Sequence, residues 1–196
     1  MAVSGPPLGI TGGHCDDNSL NHAFEQRADG VADGPWAVRA MVRRNVKYGV
    51  DLIKFCATGG VFSKGTQLGA RQYTLEEMQA IVDEAHTHGR KVAAHAHGKE
   101  GMDRAIRAGI DSIEHGTYMS TETLQLMKER GTWFVPTHVT IVDLVEERFN
   151  YVLRLRGRHM VPQLEKVMRE AHELGIKFAT GADNGDFGVA GLVGLG

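Results

Sequence analysis

The chain has 196 residues, 42% of them hydrophobic, which is the size and composition of one globular domain with a real core. Its 22 Lys and Arg against 24 Asp and Glu leave a net charge of −2, so electrostatics gives no case for nucleic acid or for an anionic membrane as partner. Only Cys15 and Cys56 stand beside ten histidines, which excludes a disulfide framework and a paired-cysteine zinc site.

Met1 to Gly13 lacks the basic and apolar segments of an export signal, and no run approaches the ~18 apolar residues of a membrane span, so a soluble cytoplasmic chain is expected. Short apolar runs then alternate with helical periodicity, the pattern of a parallel sheet with crossover helices. The first strand is expected near Leu8 to Gly12, followed by an Asp/Asn/Gly-rich loop and a helix from Trp36 to Tyr48 stopped by Gly49. Strand two runs from Asp51 to Cys56 and opens into a loop reaching Arg71. Thr74 with Glu77 is a capping box for a helix from Leu75 to His88, and strand three follows from Lys91 to Ala96.

A helix from Glu100 to Ala108, strand four from Ile110 to Glu114, a Ser120-capped helix from Thr121 to Arg130 and strand five from Thr132 to Val135 continue the alternation. Val139 to Arg156 reads as helical, Pro162 suits the first turn of a helix from Val161 to Leu174, and strand six spans Ile176 to Thr180. Glu84-Ala85-His86-x-x-Gly89-x-Lys91 recurs as Glu170-Ala171-His172-x-x-Gly175-x-Lys177 where a helix turns into a strand, so His86 and His172 belong to the opposite end from the chemistry. Six strand-helix units in a single domain, residues 1–196, predict part of a (β/α)8 barrel, which closes with eight strands and about 250 residues, or else an open α/β sheet.

Lys54, His95, His115 and Asp183 each end one of these runs, and polar side chains at the carboxyl ends of successive parallel strands converge on one rim. Taken singly, each has an ordinary explanation. Lys54 can pair with a carboxylate, each histidine can be a hydrogen-bonded core residue, and Asp183 can serve the turn Gly181-Ala182-Asp183-Asn184-Gly185. Jointly they form a metal-competent set: imidazole suits zinc, and a carboxylate, or a carbamate formed by CO2 on Lys54, supplies oxygen ligands. The expected chemistry is hydrolysis by a metal-activated hydroxide, with Asp183 as the group that takes and returns the proton. His14, His97, Tyr118 and His138 lie near the same rim as candidate substrate contacts. The loop Gly59-Gly60-Val61-Phe62-Ser63-Lys64-Gly65 lacks Walker spacing, Asp183 to Asp186 does not continue into a calcium loop, and there is no Gly-x-Ser-x-Gly elbow.

Leu52-Ile53-Lys54, Val92-Ala93-Ala94-His95-Ala96-His97-Gly98, Ser112-Ile113-Glu114-His115-Gly116, Val135-Pro136-Thr137 and Thr180-Gly181-Ala182-Asp183 resemble the amidohydrolase superfamily. Within it they look like the imidazolonepropionase-like and prolidase-like branch, which holds Xaa-Pro and Xaa-Arg/Lys dipeptidases and N-acyl amino acid hydrolases. Their order fits barrel strands four to eight, with Ile10-Thr11-Gly12-Gly13-His14 similar to the third. The resemblance implies two zinc ions bridged by a carboxylated Lys54, with His95 and His115 on one metal and Asp183 on the other as general base. It implies a small peptide or N-acyl amino acid substrate. The family's first-strand His-x-His pair has no counterpart, since His95-Ala96-His97 already matches strand five, so the chain resembles the middle of a longer enzyme. Weak metal binding, little activity alone and open sheet edges that invite a homo-oligomer are therefore expected. The alternatives are a single-metal deaminase or imidazolonepropionase, which does without Lys54, and a non-catalytic fragment.

Overall fold

A computed structural model describes residues 2–16, 20–24, 26–181 and 183. After a 3-10 turn at His22–Phe24, the helices and strands run α1 (Pro35–Lys47), β1 (Leu52–Cys56), α2 (Leu75–Thr87), β2 (Lys91–Ala96), α3 (Lys99–Ala108), β3 (Ser112–His115), α4 (Thr121–Arg130), β4 (Trp133–Val135), α5 (His138–Asp143) and α6 (Tyr151–Glu173). The strands form one parallel sheet in chain order. Single bridges, Leu8 to Phe55 and Phe134 to Phe178, extend it at either side. The first and sixth expected strands thus shrink to one rung each, and at the first of them the chain leaves β1 at Gly9 and pairs there with Val31 instead.

Local signals account for most helix ends. Thr74 and Glu77 make the reciprocal capping box of α2, Ser120 accepts from Thr123 N–H at the start of α4, and Gly109 and Gly131 end α3 and α4 in the left-handed conformation. The expected helix over 139–156 is instead broken. Asn150 accepts from Leu153 N–H and starts a new helix, and Pro162 lies inside α6 rather than in a first turn. A proline there forfeits one backbone bond, at a cost of about 3 kcal/mol in a free helix. The buried stripe Gly157, Met160, Leu164, Val167 and Ala171 runs straight past it at helical spacing, and its burial keeps the helix continuous.

The core lies between sheet and helices, with Ile53, Phe55, Val92, Ala94, Ile113 and Phe134 buried from the strands against Met78, Ile81, Met102, Ile106, Leu124 and Met127 of the helices. The other sheet face carries Leu52, Lys54, Ala93, Ser112 and Glu114, which line a cleft. At the amino-terminal end of the sheet Asp111 takes bonds from Lys91 (2.6 Å) and Val92 N–H (2.8 Å) and pairs with His86 (2.8 Å), which leaves His86 structural. Cys15 and Cys56, 41 positions apart, are joined as a disulfide with a Cα separation of 6.2 Å.

Glu84 ties α2 to α1. Its carboxylate receives Arg43 at 2.7 and 2.9 Å and Arg39 at 3.3 Å, and it lies 3.2 Å from His88. Arg43's hydrogen bonds hold the Glu84 carboxyl at about 2, below its ordinary 4.5, against the opposing cost of burial. A depressed folded-state pKa stabilises the fold above the ordinary value and is lost as pH falls from 4.5 towards about 2. Glu84→Gln is expected to lower stability by about 1–2 kcal/mol at neutral pH and to flatten that acid limb, as read by urea unfolding across pH.

Candidate active site

The rim at the carboxyl ends of β1 to β4 gathers the imidazoles. Register places Cys56 beside His95 and His95 beside Glu114, so these share the cleft-facing row, and His97 two residues on follows His95. Strict alternation would turn His115 away from Glu114. Its left-handed backbone (φ 70°) breaks the alternation and swings the ring back, to 4.6 Å from the His95 ring and 4.9 Å from that of His97. One ligand nitrogen from each of His95, His97 and His115 lies within 4.8 Å of the others, and all three residues are buried.

Burial, reinforced by the neighbouring rings, pushes His95 and His115 well below the usual histidine range and His97 to about 3, so all three are neutral and keep a lone pair to offer. Two of them have a second nitrogen held by a hydroxyl. His97 Nδ1 lies 3.0 Å from Thr117 Oγ1, and His115 Nδ1 lies 2.6 Å from Thr137 Oγ1. Thr137 donates its own proton to Pro136 C=O at 2.8 Å, so it accepts from His115 Nδ1–H. His115 Nε2 is therefore the bare nitrogen, and it faces Asp183 Oδ2 at 3.7 Å. A neutral imidazole lone pair against a carboxylate is neither a hydrogen bond nor an ion pair; two electron-rich groups meet with a gap between them. His95 Nε2 is buried without a hydrogen-bond partner among the described residues.

Asp183 also lies 3.7 Å from Lys54 Nζ, so the carboxylate stands between β1's lysine and β3's histidine. Asn184 to Asp186, which continue the turn expected there, fall outside the described residues. His14 joins the group as well: its ring centroid is 4.2 Å from that of His95, its Nδ1 has no hydrogen-bond partner among the described residues, and Gly60 supplies the space, since a Cβ there would sit 2.2 Å from the ring. Tyr118 and His138 turn elsewhere. Tyr118 faces His159 of α6 (6.1 Å between rings) and His138 faces Glu165 of α6 at 3.5 Å.

Three features of the site are not read from sequence. Thr117 and Thr137 have no visible role until the histidines are placed. Glu114, flagged only by lying beside His115, sits in the cleft with its carboxyl raised by burial, partly offset by the Ser112 hydroxyl at 2.9 Å and by the charge of Lys54. Among the described residues the left-handed non-glycines are His115, Thr137 (φ 47°) and Asp183 (φ 48°), all at this rim. Backbone held in a sparsely populated conformation costs of order 1–3 kcal/mol per residue, and it concentrates where geometry is imposed for function.

Solved structures share this fold. A Xaa-Pro dipeptidase with bound methionine matches at 41% identity and TM-score 0.82, over 92% of this chain and 47% of that one. The Aspergillus niger ochratoxinase structure matches at 31% identity and TM-score 0.84, over 92% of this chain and 45% of that one. In sequence, Aspergillus niger ochratoxinase is 35% identical over 170 residues, 83% of this chain but 34% of the relative. The chain thus spans a third to a half of the relatives it matches, and its parallel α/β fold corresponds to part of their barrel. No helix among the described residues is long and apolar enough to cross a membrane. Because the Amidohydrolase family profile matches residues 3–194, nearly the whole length over which this sheet and rim are built, the chain belongs to the Amidohydrolase family.

Proposed function

We propose that this chain is the core of a longer zinc-dependent hydrolase that cleaves amide bonds in small peptides or N-acyl amino acids, and that it is inactive alone. The carrying observation is the bare His115 Nε2 set against the Asp183 carboxylate at 3.7 Å, an arrangement that a bound cation reconciles. The unpartnered His95 Nε2 beside it completes a donor set suited to zinc. His95, His115 and Asp183 would hold metal, joined by Lys54 after its amine adds CO2 and releases a proton to become an anionic carbamate. Bound zinc supplies a Lewis acid for the scissile carbonyl and a water whose pKa falls from 15.7 towards ~7. Asp183, half exposed, takes the proton of the attacking water and passes it to the leaving amine. His14 and His97 border the same space as contacts for the substrate, and the names of the dipeptidase and ochratoxinase relatives support a small amide substrate.

A single-metal reading is favoured by one observation, the His95, His97 and His115 nitrogens grouped within 4.8 Å, which alone make a three-imidazole site. In that case Lys54 remains the cation partner of Asp183. Metal analysis of the longer polypeptide separates the two, with two zinc ions per chain expected. A chelator is expected to abolish cleavage of an Xaa-Pro dipeptide and N-acyl amino acid panel, and zinc to restore it. Hydrolysis undiminished after complete metal removal would end the proposal.

A further inference from the structure

The disulfide lies within the architecture of the site. Cys56 ends β1 two positions after Lys54, on the same strand face, and pairs in register with His95. Cys15 directly follows His14, whose ring packs against His95. The cross-link therefore fastens the loop that carries His14 to the strand that carries Lys54. Two glycines make room for it: a Cβ on Gly9 would lie 2.7 Å from Cys15 Cβ, and one on Gly60 would overlap the His14 ring. The Cα separation of 6.2 Å suits a disulfide.

We propose that Cys15–Cys56 is a reversible thiol–disulfide site whose oxidised form locks His14 against the imidazole group, and that a dithiol reductant releases it. Cys56 is buried, whereas Cys15 is half-buried on the loop, so attack falls on Cys15 Sγ. The reductant's thiolate bonds to Cys15, the Sγ–Sγ bond breaks, and Cys56 leaves as a thiolate that takes a proton. The reductant's second thiol then attacks its own sulfur in the mixed disulfide and releases Cys15 as the second thiol, which balances two electrons and two protons. The strand side cannot follow the loop, since Cys56 N–H is bonded to Leu8 C=O and β1 pairs with β2. The loop has hydrogen bonds of its own, including Thr11 N–H and Oγ1–H to the Asp33 carboxylate at 2.9 and 2.6 Å, Gly12 N–H to Asp16 Oδ2 at 2.9 Å and His14 N–H to Gln72 Oε1 at 3.1 Å, and the disulfide adds a direct covalent tie from it to β1.

The test uses the chain itself, oxidised with glutathione disulfide and then reduced with dithiothreitol. Alkylation after denaturation is expected to label no cysteine in the first sample and two in the second. Amide exchange over residues 10–16 is expected to quicken about tenfold on reduction and to recover on reoxidation, while β2 amides are unchanged. Cys15→Ser should match the reduced chain; if that variant does not fold, the reduction and reoxidation of the unaltered chain carries the test. Two labels under oxidising conditions overturn the proposal, as does equal exchange in both states. Acceleration spread equally to β2 overturns it too, since the bond would then be a general staple with no special hold on His14.

Discussion

Replacing Lys54 by Ala is expected to lower kcat/KM for amide hydrolysis by about a thousandfold or more in the longer polypeptide, and Asp183→Asn to do the same. The two positions share one feature, the 3.7 Å approach of Lys54 Nζ to Asp183, so each substitution needs a control for merely breaking an ion pair. Lys54→Arg is that control. It keeps the positive charge facing Asp183 but cannot add CO2, so activity survives if Lys54 serves as a cation and is lost if it serves as an anionic ligand. For Asp183 the backbone supplies the control. At φ 48° the residue is left-handed, a conformation asparagine adopts as readily as aspartate, so Asp183→Asn removes the charge without adding backbone strain. Full activity in Asp183→Asn would remove the proposed proton carrier, and an active Lys54→Arg would favour the single-metal reading.

Much of this site is legible in the sequence because its members end apolar runs whose direction is fixed by flanking caps. Thr74 with Glu77 and Ser120 mark helix starts, Gly109 and Gly131 mark ends, and these leave little freedom for β2 and β3 between them. Strand ends in a parallel sheet then bring Lys54, His95 and His115 to one side whatever the loops do, and Asp183 follows five residues beyond the single Phe134–Phe178 rung. What the sequence does not supply is orientation. The swing of His115 depends on a left-handed residue before Gly116, where propensity alone predicts extended backbone. Position along the chain draws His138 to the rim, but its ring lies beside Glu165, on a helix whose start is hidden because the Asn150 cap lies within a periodic stretch. The link between Cys15 and Cys56 is equally invisible locally, since it depends on tertiary contact across 41 positions.

Thr137→Val is expected to weaken zinc binding by about 10–100-fold, the usual effect of removing the group that orients a ligand histidine. The exchange is nearly isosteric and keeps the β-branch, so a residue already strained at φ 47° is not strained further by shape. What disappears is the acceptor for His115 Nδ1–H at 2.6 Å. The ring then no longer has its tautomer fixed with Nε2 bare toward Asp183, and a buried N–H is left unpaired. Thr117→Val applies the same change to His97 through its 3.0 Å contact, and the pair of variants decides which imidazoles bind metal. If His97 borders the substrate alone, Thr117→Val leaves zinc affinity unchanged and raises KM. If His95, His97 and His115 form one three-imidazole site, both substitutions weaken zinc binding alike, as titration calorimetry would show. Unchanged affinity in Thr137→Val would instead take His115 out of the metal site, and the gap between its Nε2 and Asp183 would then no longer mark where a cation sits.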